Sequence, residues 1–150
     1  VMDAPDDITV LSLDDSWTYK TVLLADLISR TVSPVLQDVS DLNLSQWRVM
    51  IAVADQPGRT ASAVVDLTPM DKGIVSRAVR TLVEKEIIER RSSKEDGRLS
   101  HLFLTASGQT LYSKIVKAMD KGGASGRQLL TRQQQTDLMA LLDEAITKYR

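Results

Sequence analysis

The feature that most constrains this chain is a change of hydrophobic period within one short stretch, between residues 60 and 104. Val64 and Leu67 have the spacing of a short helix that Thr60 can cap. Thr68-Pro69-Met70 then breaks it, because proline lacks an N–H and its ring clashes with the preceding turn. A second helix is predicted from Asp71 to about Lys85, with Val75, Ala78, Val79 and Leu82 along one side. Two short helices joined by about three turn residues form a helix-turn-helix unit. The period then shortens. Ile87 to Arg91 and Leu99 to Leu104 are β-compatible runs, and the polar Ser92-Ser93-Lys94-Glu95-Asp96-Gly97-Arg98 between them reads as a hairpin loop. The fold class that follows is mainly α with a small β-hairpin.

The flanks are helical. From about Asp15, the residues Trp17, Leu24, Leu27, Ile28, Val32, Val35, Leu36 and Val39 recur at helical intervals. Pro34 interrupts them, which leaves either one kinked helix, the preferred reading, or two. Ser45 is the expected cap of a helix that places Trp47, Met50, Ile51 and Ala54 on one face and ends at Gln56-Pro57-Gly58. After the hairpin, Thr105 caps a helix with Leu111, Tyr112, Ile115, Val116 and Met119 as its stripe. Gly122, Gly123 and Gly126 predict a loop or soft helix end. Thr131 with Gln134 fits a capping box that opens a last helix bearing Leu138, Leu141, Leu142, Ala145, Ile146 and Tyr149.

At 150 residues the expectation is a single domain. It divides into an acidic arm at residues 1–14, dimerisation helices at 15–42 and 106–150, and a central lobe at 43–105. The apolar stripes of the flanks are longer than one small lobe can cover, which predicts a homodimer.

Several chemistries are excluded by content. With no cysteine there is no thiolate zinc site, thiol nucleophile or thiol redox switch. The single histidine, His101, has no second histidine to share a metal and reads as structural, so no metal or cofactor is expected. Phosphate-binding glycine loops and Ser/His/Asp spacings are missing, which argues against an enzyme. Aromatic residues, at 4%, are too few for single-strand stacking platforms. No apolar run approaches the ~20 residues that span a membrane, and the acidic start is unlike a signal peptide, so a cytoplasmic location is expected.

The net charge of −1 hides an asymmetry. Residues 1–58 carry a net of −6, residues 59–98 a net of +2 and residues 99–150 a net of +3. At about 100° per residue, Lys72, Gly73, Ser76, Arg77 and Arg80 fall opposite the apolar side of the second short helix. Such a face fits the major groove of duplex DNA, where arginine and serine read base edges. The plain alternative is a solvated amphipathic helix. A hairpin directly behind a helix-turn-helix makes a winged helix, and Lys94 and Arg98 on its loop can reach the negative minor groove. Asp96, two residues before Arg98, is placed to orient that guanidinium through charge-assisted hydrogen bonds.

Taken together, these segments resemble the MarR family of bacterial transcriptional regulators. The matching residues run from Leu44-Ser45-Gln46-Trp47-Arg48 through Pro57-Gly58-Arg59-Thr60-Ala61-Ser62 and Met70-Asp71-Lys72-Gly73-Ile74-Val75-Ser76-Arg77. They continue to Ile88-Glu89-Arg90-Arg91, Asp96-Gly97-Arg98, Leu104-Thr105 and Gly108. The resemblance implies a winged-helix dimer that represses or activates transcription on pseudo-palindromic duplex DNA, with base reading near Ser76 and Arg77 and a wing arginine at Arg98. It further implies a small effector, such as an aromatic or amphipathic acid, between the dimerisation helices and the lobe. Trp17, Trp47 and Tyr112 would then form an apolar wall, with Arg48 as carboxylate partner. As plain structure, these aromatics are core or dimer-interface residues. One departure stands out: where the family usually has glycine to stop the recognition helix, this chain has Glu86, which predicts a different helix end. A second reading from another class is a winged-helix module that docks an acidic protein.

Overall fold

The computed structural model describes residues 11–95 and 97–150. Most of the acidic arm, and Asp96 on the wing, lie outside the described residues. Helix α1 (Trp17–Val39) starts at Ser16, whose side chain accepts from the Tyr19 amide at 3.2 Å. It runs through Pro34 as one helix, so the chain does not divide there. Ser40 ends it by returning its amide (2.8 Å) and its hydroxyl (2.7 Å) to the Leu36 carbonyl.

Helix α2 (Leu44–Asp55) is capped by Asn43 rather than by the expected Ser45. Asn43 and Gln46 form a reciprocal box: the Gln46 amide donates to Asn43 Oδ1 at 2.9 Å, and the Asn43 amide donates to Gln46 Oε1 at 3.0 Å. Two orphan amides are satisfied at once, a better solution than one serine hydroxyl provides. Helices α3 (Ala61–Leu67) and α4 (Lys72–Glu84) follow, each capped by the side chain just before it, Thr60 and Asp71. Strands β1 (Ile88–Ser92) and β2 (Ser100–Leu104) pair antiparallel, with Ile88 opposite Leu104 and Ser92 opposite Ser100. Helix α5 (Ala106–Lys121) and helix α6 (Arg132–Tyr149) complete the chain, α6 opening with the Thr131–Gln134 capping box.

One core joins these elements. Met50 and Val53 of α2, Val64 of α3, Val75, Val79 and Leu82 of α4, and Ile88 and Leu102 of the hairpin are all fully buried. Ile115 and Met119 of α5 and Leu36 of α1 close it from the other side. The two-stranded hairpin is too small to be stable alone; Ile88 and Leu102 anchor it to the helices.

The expectation of a different stop for α4 is corrected. Glu86 does take the left-handed conformation, with φ 59°. The Ile87 amide returns to the Leu82 carbonyl (2.9 Å) and the Glu86 amide to the Val83 carbonyl (3.0 Å). This is the Schellman pattern, closed by the buried pair Leu82 and Ile87, and it forms here without glycine. The glycine run stops α5 in the same way: Gly123 has φ 73° and the Ala124 amide returns to the Met119 carbonyl at 2.9 Å.

Candidate nucleic-acid interface

The local sequence fixes how α4 is presented. Asp71 Oδ1 accepts from the Ile74 amide at 2.8 Å and starts the helix immediately after the Pro69 break. Val75, Ala78, Val79 and Leu82 are buried, while Lys72, Gly73, Ser76, Arg77 and Arg80 are exposed on the opposite face. The side chains of Lys72, Ser76, Arg77 and Arg80 make no hydrogen bond or ion pair with another described residue. Arginines away from this face are engaged differently: Arg30 pairs with Asp26, and Arg91 pairs with Glu89 and lies 4.0 Å from the Phe103 ring centroid. Cations left without an ion-pair partner on one helix face can serve an external anion.

The hairpin is fastened to the segment before α3. The Gly58 amide donates to the Leu102 carbonyl (2.8 Å), and the Leu102 amide donates to the Arg59 carbonyl (2.9 Å). Thr60 and His101 form a further bridge, and His101 Nδ1 donates to the Gly58 carbonyl at 2.7 Å. A carbonyl can only accept, so this bond holds the imidazole proton on Nδ1. His101 is therefore a strap between the wing and the segment before α3. Among the described residues, no cluster of three or more His, Asp or Glu side chains is arranged to hold a metal. Arg59 anchors the same segment: its guanidinium donates to the Ala52 carbonyl (2.6 Å) and pairs with Asp55 (2.9 Å). At the loop tip Lys94 and Arg98 are exposed. The expected partner of Arg98, Asp96, lies outside the described residues.

The proposed effector wall is only partly assembled. Trp47 and Tyr112 pack together with ring centroids 5.4 Å apart. Trp17 does not join them. It is 57% exposed and meets Tyr149 of α6 edge-on at 6.3 Å. The reason is the length of α1: Arg48 beside Trp47 donates to Ser29 Oγ at 3.3 Å, and Trp17 lies twelve residues up the helix from Ser29, about 18 Å at 1.5 Å per residue. Arg48 instead borders a cavity of about 360 Å³ with Ile51, Arg59, Leu67 and Pro69, between α2 and the end of α3.

Three features had no role in the sequence reading. Asp71 caps α4, a function that its place before Lys72 signals. Thr105 and Ser107 both donate to the Glu86 carbonyl, at 2.6 and 3.0 Å, with no local signal for either contact. Lys85, just past α4, pairs with Asp41 in the turn between α1 and α2, and this hydrogen bond holds the Asp41 carboxyl below its ordinary value.

Known proteins agree with this architecture. Residues 40–99 match the model of the MarR family. The chain is 27% identical over 118 residues to the HTH-type transcriptional regulator PetP of Rhodobacter capsulatus, covering 77% of this chain and 71% of PetP. The fold is similar to that of the PcaV transcriptional regulator from Streptomyces coelicolor in complex with its natural ligand (TM-score 0.72, 16% identity, 95% of this chain and 100% of PcaV). It is also similar to a cysteine-to-serine variant of E. coli MarR complexed with operator DNA (TM-score 0.70, 19% identity, 85% of this chain and 91% of that one). The helix-turn-helix and first wing strand, within residues 40–99, thus match the MarR family model, and the chain is similar to relatives named as transcriptional regulators.

Proposed function

We propose that the chain is a repressor that acts as a homodimer on a pseudo-palindromic duplex operator and is released by a small organic acid. The observation that carries the DNA reading is the α4 face, where Lys72, Ser76, Arg77 and Arg80 are exposed and unpaired beside a wing bearing Lys94 and Arg98. In this reading Gly73, Ser76 and Arg77 approach base edges, Lys72 and Arg80 meet phosphates, and Asp96 steadies Arg98 in the minor groove. As a regulator of chromosomal DNA it works in the cytoplasm.

The homodimer reading rests on apolar surface that one copy leaves open. In α1, Trp17, Val22, Leu24 and Ile28 are about half exposed or more, and in α6 Met139, Leu141 and Ile146 are likewise exposed. No residue of α6 is buried within the chain. Exposed apolar area of this extent marks an interface. Residues 15–42 and 106–150 would pack across a two-fold axis, with residues 43–105 as the DNA-binding lobe. The effector reading rests on the junction of lobe and helices, where Trp47 and Tyr112 supply aromatic surface and Arg48 a cation, and on the liganded structure of PcaV.

A salt-titrated duplex-binding assay tests the DNA reading. Neutralising roughly six or more phosphates per dimer gives a log affinity that falls against log salt with a slope steeper than about −5. Two-fold related α4 helices should select half-sites about 10 bp apart. Equal affinity for random duplex, or a shallow slope, would instead favour docking of an acidic protein.

A further inference from the structure

Gly73 is an expensive residue where it stands. It lies in the first turn of α4 with ordinary helical backbone, so no positive φ requires glycine, and glycine inside a helix costs about 1 kcal/mol relative to alanine. Space is what the position provides. A Cβ there would lie 3.3 Å from Arg77 Nη1 and 3.3 Å from Asp71 Oδ1. The Arg77 side chain therefore runs back along the helix, as the tilt of helical side chains directs it, into the gap left by the missing Cβ. Its guanidinium has no hydrogen bond or ion pair with another described residue. With no partner elsewhere among the described residues, the guanidinium rests against the open first turn.

We propose that Gly73 is a specificity-determining position that acts through Arg77: the gap at residue 73 aims the Arg77 guanidinium along the first turn of α4 and so selects the base pair it reads. Asp71 bounds the gap on the other side while its carboxylate is held by the Ile74 amide. The inference rests on the reading of α4 as the helix that enters the groove. It differs from a role for Gly73 in letting the helix backbone approach DNA, since that role would not depend on Arg77.

The test is selection from a random duplex library by the unmodified protein, Gly73→Ala, Arg77→Ala and the double variant, followed by competition binding on single base-pair variants of the selected site. Gly73→Ala should keep or raise Tm, because alanine is the better helix former. At one base pair per half-site its discrimination should fall at least about threefold, part of the 1–3 kcal/mol that a bidentate arginine contact supplies. In the Arg77→Ala background, Gly73→Ala should change nothing further at that base pair. Unchanged base preference in Gly73→Ala overturns the proposal, as does an equal loss with and without Arg77. If the unmodified protein selects no duplex motif, the DNA-reading role of α4 fails, and the proposal with it; a motif that Gly73→Ala selects equally well removes the proposal alone.

Discussion

The hydroxyl of Thr105 donates to the carbonyl of Glu86 at 2.6 Å while accepting from the Gly108 amide at 3.0 Å, so one side chain both closes the left-handed stop of α4 and starts α5. Ser107 adds a second donor to the same carbonyl. Helix α4 is thus tied at its C-terminal end to the first of the C-terminal helices, across the wing.

Replacing Thr105 by Val keeps the shape and removes both bonds. Stability should fall by about 1–2 kcal/mol, the usual scale for a lost N-cap, with a visible drop in Tm. Glu86→Gly should act in the opposite direction, because a non-glycine residue in the left-handed region costs roughly 1–2 kcal/mol. Paired thermal melts check both signs; a lower Tm for Glu86→Gly would show that the Glu86 side chain contributes more than its backbone costs.

Gly108 packs on the same corner. A Cβ at this position would lie 2.1 Å from the Ile87 carbonyl oxygen, a backbone atom that cannot step aside as a side chain could. Gly108→Ala should destabilise by about 1–3 kcal/mol through forced backbone shifts, despite the better helix propensity of alanine. Chemical denaturation measures this. An Ala variant as stable as the unmodified protein would mean that α5 can slide away from Ile87.

The Asp41–Lys85 pair makes a pH prediction. Lys85 depresses the carboxyl pKa of folded Asp41, so the folded state binds the proton less readily than the unfolded chain. The contribution is present above the ordinary carboxylate range near 4 and is lost as pH falls through the lower folded value. Both groups are partly or largely exposed, so the effect on stability is small. NMR titration of the Asp41 carboxyl should show the depression, and Lys85→Met should abolish it. An unchanged titration in Lys85→Met would rule out the pair as its cause.

The arginines of α4 and the wing should differ in kind. Arg77→Ala should cost about 1–3 kcal/mol of operator affinity and relax base preference at one position per half-site. Arg98→Ala should weaken binding with less change in major-groove preference, since a wing cation in the minor groove reads shape and charge. Competition binding across operator variants separates them. Full affinity in Arg98→Ala would remove the wing from the interface.

Sedimentation tests the assembly. Leu141, 64% exposed on α6, should be covered in a homodimer. Leu141→Glu should therefore weaken self-association at micromolar concentration while far-UV circular dichroism stays helical. A folded monomer of the unmodified chain at that concentration would contradict the two-fold model.

Caps and faces were legible in the sequence because they act within a few residues. Thr60, Thr105 and Thr131 each bond an amide three positions ahead, and the 3.6-residue period alone separates Val75, Val79 and Leu82 from Ser76, Arg77 and Arg80. The nearest misreading was also local: Ser45 and Asn43 are both good caps, and the choice fell to Asn43 because Gln46 stands in register to return its bond.

What tertiary structure alone decided is every contact whose partner lies far along the chain. Trp17 finds Tyr149 rather than Trp47 because rigid α1 carries it away from the lobe. His101 becomes a strap because the Gly58 carbonyl comes within 2.7 Å of it, 43 residues away in sequence. Glu86 holds a conformation that its own side chain disfavours because Leu82 and Ile87 are buried together and Thr105 and Ser107 hydrogen-bond its carbonyl. The left-handed conformation costs a non-glycine residue about 1–2 kcal/mol, and a buried apolar pair with two hydroxyl donors is enough to outweigh it.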